Sequence, residues 1–520
     1  MTSCRWLALA LCLLGCHASS LAPTAAPRPP AAPRAAEAVY EQRVPGPRLS
    51  YRFRTSRFSN LFYTIDCLSG SMRCTRSAFE ELATRQLGGL DAEDRAQLDA
   101  WRALRRRYQG RIEKGPTSES PFPLPRAHAQ VERRVRLAGY LANDLDEYAA
   151  RATMLLDVRD VERARAILAR FEPRFDRYWQ REAAPALRAT AMRFAEAARA
   201  PALSGVVDQV AAFYAPDVPV PLELTFELVL RPAGARSSAE QLAHVSLIEV
   251  EPDEKPSDKL DVVLHEVFHY FLSQVPEPEL AAQMDRFAGD PDPLAYIAQG
   301  TLDEGLATAF GNGLVLRTLD PAQLARRLQR PQGMYADDTI SAMASSAIDP
   351  LARVLEQGSL HVTSPELEQL WVGLAHAAFP NGAPPQAYLR PFAGVYPPEL
   401  EAGVDSLYDI MQVGHSSTDR TLDPAVTREM FSTRPRWTRV LFLRPADLPA
   451  LDRFAHVLGP AGARDVRALA RRSASFAYAS TEPGRPTTFV FVAPDSKALT
   501  ALVTRFAAVP TMHPGPIAAE

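Results

Sequence analysis

The chain has 520 residues, of which 58 are Lys or Arg and 61 are Asp or Glu, so its formal net charge at pH 7 is −3. This balance excludes a strongly basic nucleic-acid-binding protein. The length predicts about two to four domains, and no segment beyond the N-terminus is long and apolar enough to span a membrane.

The first residues have the features of an export signal. Arg5 supplies the positive start, and Trp6 to Leu14 form an apolar run too short to span a membrane. The run ends in Leu13-Leu14-Gly15-Cys16, which resembles a bacterial lipobox. The resemblance implies a signal peptide over residues 1–15, lipidation of Cys16 and an anchor in the bacterial envelope, at the outer membrane because no Asp follows the cysteine. An ordinary secretory signal with an incidental cysteine is the alternative.

Residues 16–46 are predicted to form a tether. The stretch from Leu21 to Ala36 is rich in Pro and Ala, a composition typical of semi-rigid extended linkers. A helical N-terminal domain is predicted over residues 47–215, because much of this region combines Ala, Arg, Glu and Leu with helical periodicity.

Cysteine usage agrees with export. Beyond the signal region and Cys16, the chain holds Cys67 and Cys74. Two cysteines this close in an exported chain predict a disulfide between them.

A catalytic domain is predicted over residues 216–434. It begins with two segments, 222–230 and 244–250, whose alternation and β-branched content predict strands. An edge strand just before the motif described next could bind an extended peptide by strand addition. A plain structural hairpin is the alternative for these two segments.

The motif is His265-Glu266-Val267-Phe268-His269, an HExxH pattern. Residues four apart lie on one face of a helix, so the two imidazoles can hold one zinc ion while Glu266 acts as general base. The flanking residues are apolar on nearly every side, which predicts a buried helix. Buried histidine and glutamate side chains cost free energy unless they are paired or bind a metal.

A third ligand is needed for a catalytic zinc, and Glu304 in the run Asp303-Glu304-Gly305-Leu306-Ala307 can supply it. The run is predicted to begin a second helix, whose small residues Gly305 and Ala307 would let it approach the first closely. The alternative is that Asp303 and Glu304 are ordinary acidic residues at a helix N-terminus.

The combination resembles the gluzincin metallopeptidases, in which HExxH is followed by a ligand Glu. The Asp-Glu-Gly-Leu-Ala run resembles the Asn-Glu-Gly-Phe-Ala of M1-type enzymes. The resemblance covers roughly residues 220–320. It implies a zincin-like fold, zinc ligation by His265, His269 and Glu304, and Glu266 as general base.

Rival zincin classes fit the sequence less well. Leu272 and Val275 stand where a metzincin needs Gly and His. Gly300-Thr301-Leu302-Asp303 matches half of the aspzincin motif, which leaves Asp303 as an alternative ligand. Thr308 stands where thermolysin-like enzymes have an Asp that orients the first His. Nothing upstream matches the Gly-Ala-Met-Glu-Asn strand of M1 aminopeptidases.

A His or Tyr that stabilises the oxyanion is also expected. Among the candidates after Glu304, we favour Tyr408 and His415. Tyr408 lies in a predicted buried helix, and His415 lies just after it. The other candidates are Tyr335, His361 and His376.

The last region, residues 435–520, is predicted to form a small α+β domain. Its strands are expected at 439–443, 474–479 and 487–492 and its helices at 445–458 and 495–508, with the helices on one face of the sheet. The whole chain is therefore predicted to be α+β and predominantly helical.

The leading functional hypothesis is a membrane-anchored, exported zinc peptidase that acts on a peptide or protein substrate. A non-catalytic envelope-binding or assembly lipoprotein that keeps a zincin fold is the alternative, although an intact Glu266 argues against it. A zinc hydrolase acting on a non-peptide bond is a third possibility, because a fold does not fix a chemistry.

Overall fold

The computed structural model describes residues 39–519, apart from 47–48, 73, 110–129, 216–221, 236–238, 243, 412–415, 435 and 482–485. The predicted signal peptide, the lipidated Cys16, most of the tether and His415 lie outside the described residues. Among the helices that the structure describes, none is long and apolar enough to cross a membrane.

The chain is α+β and predominantly helical, as predicted. Within the described part of the chain, two π-helical segments occur at Trp179–Ala183 and Ala309–Val315, and 3₁₀ segments occur at Pro385–Leu389, Pro398–Leu400 and Pro445–Phe454. The α-helices are α1 Arg57–Ser69, α2 Arg76–Gln86, α3 Ala92–Tyr108, α4 Val131–Leu141, α5 Leu145–Ala152, α6 Val158–Tyr178, α7 Ala184–Ala198, α8 Pro201–Tyr214, α9 Pro256–Ser273, α10 Glu277–Gly289, α11 Ala295–Thr308, α12 Leu316–Leu319, α13 Pro321–Leu328, α14 Asp338–Gln357, α15 Pro365–Ala378, α16 Glu401–Met411, α17 Pro424–Ser432, α18 Ala455–Ala470 and α19 Ser496–Ala507.

The first sheet has five strands in the order β1-β2-β3-β5-β4. Strands β2, β3 and β5 are parallel, whereas the outer strands β1 and β4 pair antiparallel to their neighbours. Parallel pairing of β3 with β5 excludes the simple hairpin considered for these two segments. The strands are β1 Val39–Val44, β2 Leu49–Ser56, β3 Leu222–Leu230, β4 Ala239–Leu242 and β5 Val245–Val250.

The two faces of this sheet are covered differently. On one face, Arg54 pairs with Glu227, and α1 and α4 reach this pair through the Ser59 hydroxyl and the Tyr140 carbonyl. On the other face, Phe53 packs edge-on against Phe194 of α7, and α9 packs beside α7 and against β4 and β5. The helix that carries HExxH is thereby fixed next to the β4 end of the sheet.

The second sheet has six strands in the order β11-β9-β10-β8-β6-β7. Helix α19 covers one face, where Phe506 contacts Phe491. The Pro445–Phe454 segment and α18 cover the other face, so helices lie on both sides rather than on one as predicted. The strands are β6 Phe392–Val395, β7 Ser416–Asp419, β8 Thr438–Leu443, β9 Phe476–Ser480, β10 Thr488–Val492 and β11 Gly515–Ala519.

The predicted domain boundaries fall inside sheets rather than between them. Strand β1 lies in the predicted tether and β2 in the predicted helical domain, yet β2 pairs with β3 beyond residue 216. Strand β6 lies before residue 435 and pairs with β8 after it. Residues from Val39 onward accordingly form one compact unit.

The structure bonds Cys67 to Cys74, the pair that the sequence predicts, with their Cα atoms 5.3 Å apart. Cys67 lies in the last turn of α1, which ends at Gly70 in a left-handed conformation with φ 70°. The bond therefore fastens the segment after α1 back onto that helix.

Removing this disulfide is expected to lower the free energy of unfolding by about 2–3 kcal/mol, because it closes a short loop and the chain-entropy gain grows with loop length. The measurement is chemical denaturation of the oxidised wild type beside a Cys67→Ser, Cys74→Ser double variant. Mass spectrometry of unreduced peptides should show the linked pair, and two alkylated thiols in oxidised protein would contradict the bond.

Candidate metal centre

Helix α9 presents the HExxH motif from a buried position. It starts with Pro256 at its first turn and runs to Ser273. Val263, Val267 and Phe271 are fully buried, and His265 itself is only 5% exposed. The apolar flanks predicted this burial.

Glu304 lies in the third turn of α11, not at a helix start as predicted, because α11 begins at Ala295. The alternative that Asp303 and Glu304 are N-terminal helix acids is therefore excluded. Gly305 faces Trp371 of α15 rather than the HExxH helix, since a Cβ at Gly305 would lie 2.6 Å from that ring. The close approach to α9 is made instead by Gly311, where a Cβ would lie 2.7 Å from the Cβ of His265.

Three predicted ligands converge between these helices. The Nε2 atoms of His265 and His269 are 3.0 Å apart. The Glu304 Oε2 atom lies 3.5 Å from the first and 3.6 Å from the second. These are the groups that the structure brings together as a set able to hold a metal ion, within the part of the chain it describes.

The other nitrogen of each imidazole has its own partner. His269 Nδ1 lies 2.6 Å from Asp303 Oδ1, and His265 Nδ1 lies 3.0 Å from Asn312 Oδ1. Both partners are oxygen acceptors, so in the neutral imidazoles that bind a metal each Nδ1 carries the proton and each Nε2 presents a lone pair to the centre. Asp303, the alternative candidate ligand, therefore orients the imidazole of His269, and this oxygen does not face the centre.

The chemistry of this donor set fits a cation. Glu304 Oε2 is buried and has no hydrogen-bond partner among the described residues. Three acceptors thus face one another without a donor between them, which is costly unless a positive charge lies among them. Ligands about 2.0–2.1 Å from a tetrahedral zinc lie about 3.3 Å from one another, close to the three distances observed. The residues therefore fit zinc.

The electrostatics point the same way. Burial alone would lower the pKa of His269, but the Asp303 and Glu304 carboxylates outweigh it and raise that pKa well above its ordinary value. Burial would raise the pKa of Glu304, but His269 and His265 outweigh it and hold that pKa well below its usual range. Without a metal ion the two carboxylates therefore favour a proton on His269, and a bound cation would take the place of that proton while Glu304 stays ionised.

Glu266 is half-buried and is not part of the cluster. Its carboxylate contributes to the negative potential at Tyr335 and at Glu240 of β4. It is therefore within electrostatic range of both residues and outside the set of converging groups. This leaves the carboxylate available for proton transfer rather than ligation.

Tyr335 is the aromatic residue that the structure brings to the centre. Its ring lies 6.1 Å from the imidazole of His265, with an angle of 14° between the two planes. Burial raises the pKa of the Tyr335 hydroxyl, and the adjacent Glu304 carboxylate raises it further. The hydroxyl therefore stays protonated and can donate a hydrogen bond.

Two ion pairs hold the ends of the loop that carries Tyr335, which joins α13 to α14. At one end, Arg327 donates to Asp261 of α9 over 2.6 Å. At the other end, Arg390 donates to Asp337 over 2.5 Å. Asp261 is fully buried and lies one helical turn before His265, so the loop is tied directly to the HExxH helix.

The remaining oxyanion candidates lie elsewhere. The Tyr408 hydroxyl bonds to Ser416 of β7 over 2.7 Å, and its ring packs against Phe392 in the second sheet. His361 bonds to Thr363, and His376 bonds to Asp292. Tyr335 therefore replaces Tyr408 as the candidate, and His415 lies outside the described residues.

The edge strand beside the centre is β4, and not either of the two strands that were predicted from segments 222–230 and 244–250. Strands β3 and β5 are both interior, and the sheet ends at β4. Strand β4 pairs with β5 through residues 239–242 and packs against α9. A peptide added to this sheet next to the metal centre would pair with β4.

No family model, no characterised protein and no solved structure matches the chain. The motif and the geometry of the centre are therefore the features that indicate a function.

Proposed function

We propose that the chain is a zinc-dependent peptidase of gluzincin type. The observation that carries the proposal is the convergence of His265 Nε2, His269 Nε2 and an unpartnered Glu304 Oε2 at one point. Three protein ligands leave a fourth position open, which is the arrangement of catalytic rather than structural zinc. The proposal includes a zincin-like fold for the first sheet with α9 and α11.

The residues around the centre supply the rest of the chemistry. Zinc held by the three ligands would polarise the scissile carbonyl and lower the pKa of a water molecule. Glu266 accepts the proton of the attacking water and passes it to the leaving amine. Tyr335 donates a hydrogen bond to the oxyanion that develops on the carbonyl.

The substrate in this proposal is an extended peptide or protein segment. Strand β4 ends the sheet, so its backbone groups can pair with one more strand. Glu266 interacts electrostatically with Glu240 of this strand and with Tyr335, so in this proposal a peptide paired with β4 comes within reach of the general base. A non-peptide substrate has no such use for a sheet edge, which favours peptide hydrolysis over the other zinc hydrolases.

We further propose that the enzyme acts in the bacterial cell envelope. The supporting observations are the lipobox-like Leu13-Leu14-Gly15-Cys16 run and the disulfide between Cys67 and Cys74. A lipid on Cys16 would anchor the protein through the Pro/Ala-rich tether. The competing function, a non-catalytic assembly lipoprotein, needs neither Glu266 nor Tyr335 at the centre.

Metal removal tests the proposed function. The purified chain is expected to contain about one zinc, to cleave members of a peptide library, and to lose cleavage on dialysis against a chelator. Stoichiometric zinc should restore the activity. Zinc-free protein as isolated that takes up none on addition, or zinc-loaded protein without hydrolytic activity, would contradict it.

Tyr335→Phe is expected to lower kcat by about 10²–10³-fold, the usual cost of losing one oxyanion donor. KM and zinc content should stay near wild type because the ring and the ligands remain. The measurement is steady-state kinetics on a cleaved peptide.

Tyr408→Phe is the matched control, since it removes a hydroxyl that bonds to Ser416 away from the centre. If Tyr408→Phe were the slower variant, the assignment of Tyr335 would fail.

A further inference from the structure

The two ligand histidines have different partners on the same stretch of helix. Asp303, which bonds to His269, precedes Glu304 in α11, and Asn312, which bonds to His265, lies in the π-helical segment that continues α11. One histidine is therefore held by a carboxylate and the other by a neutral amide. Asn312 is 9% exposed, so this hydrogen bond is shielded from water.

The π-helical turn explains why residue 312 reaches the centre. In a regular α-helix, a residue eight positions after Glu304 would point about 80° away from it around the axis. If a π-helical turn accommodates one extra residue in between, residue 312 points within about 20° of the direction of Glu304. Ala309–Val315 makes this insertion, so Asn312 and Glu304 face α9 together.

Gly311 allows the backbone of the π-helical turn to lie close to α9. A Cβ at this position would lie 2.7 Å from the Asp261 carbonyl oxygen and 2.7 Å from the Cβ of His265. Any larger residue would push the π-helical turn away from α9. The glycine therefore lets the side chain of the next residue reach an imidazole on the neighbouring helix.

We propose that Asn312 is the positioning residue of His265, which keeps that imidazole in the tautomer able to bind zinc. The inference rests on the proposed zinc site. The Asn312 oxygen accepts the Nδ1 proton, so the Nε2 lone pair stays directed at the metal position. The role falls to Asn312 and not to Thr308, whose hydroxyl is buried and has no partner among the described residues.

Zinc affinity tests this assignment without requiring a substrate. The dissociation constant of the full chain is measured by competition with a chromophoric chelator, with circular dichroism of the metal-free proteins as a folding check. Asn312→Leu removes the acceptor at nearly constant volume and is expected to weaken zinc binding by about 10–100-fold. Asn312→Asp keeps the acceptor and is expected to bind zinc at least as tightly as the wild type.

Thr308→Val is the matched control on the same helix and should leave zinc affinity unchanged. Wild-type affinity in Asn312→Leu would overturn the proposal, and so would an equal loss in Asn312→Leu and Asn312→Asp. If Asn312→Leu does not fold, Asn312→Ala carries the same expectation. A wild type that binds no zinc would instead overturn the proposed function, which separates the two failures.

Discussion

Glu266→Gln is expected to lower kcat on a cleaved peptide by about 10²–10⁴-fold, the usual contribution of a general base. The amide is nearly isosteric with the carboxylate and can still accept a hydrogen bond. It cannot take a proton from the attacking water, so hydrolysis becomes slower while the fold remains. Zinc content should stay at the wild-type value because Glu266 is not among the groups that converge on the metal position.

The measurement is turnover on a peptide library with zinc content determined in the same samples. Glu356→Gln, an exposed substitution on α14, is the control for effects of a charge change alone. Cleavage by Glu266→Gln at a rate near wild type would exclude Glu266 as the base. This variant also separates the peptidase from an assembly lipoprotein, whose function should not respond to it.

The sequence predicted those residues of the site that lie at helical spacing within an apolar segment. The HExxH spacing on an apolar helix leaves few alternatives, because two imidazoles four residues apart must share a face. The sequence also predicted that Glu304 joins the two histidines, although the helix that carries Glu304 starts earlier than expected. The helix begins just after Asp292 and Pro293, which are typical helix-start residues, but the prediction placed the start at Asp303.

The parts that the sequence missed, or in the case of Tyr335 named as a candidate without favouring it, depend on contacts between distant segments. Tyr335 lies in a loop without periodicity, and it reaches the centre because ion pairs hold both ends of that loop. Asn312 reaches His265 because it lies in a π-helical turn, and no residue pattern in the sequence predicts such a turn. Strands such as β4, with four residues, are too short for an alternating pattern to identify.

The pairing of strands across the predicted domain boundaries could not be predicted for a related reason. A run of helical sequence between β2 and β3 suggested a separate helical domain, whereas the parallel pairing of these strands places the run in a crossover connection of one sheet. In the second sheet, β6 likewise pairs parallel with β7 and with β8, so the segments between these strands are also connections within one sheet. Sequence composition records local preference and carries little information on which strands become neighbours.

Glu304→Ala is expected to abolish stoichiometric zinc binding and, with it, all hydrolysis. Glu304 Oε2 is the buried oxygen that faces both Nε2 atoms, so its removal leaves two ligands where a catalytic zinc needs three. Zinc at 100 times its dissociation constant should stabilise the wild type by about 2.7 kcal/mol. The same zinc concentration should leave the unfolding of Glu304→Ala almost unchanged.

Asp303→Ala is the matched comparison, because Asp303 is adjacent in α11 and bonds to the far nitrogen of His269. Loss of such a partner typically weakens metal binding by about 10–100-fold without removing a ligand. Asp303→Ala should therefore still bind one zinc per chain when the free zinc concentration is raised, whereas Glu304→Ala should not. Metal content measured across a series of zinc-buffered solutions distinguishes the two. If Asp303→Ala lost zinc completely and Glu304→Ala kept it, Asp303 would be the third ligand and the centre would be of the aspzincin rather than the gluzincin kind.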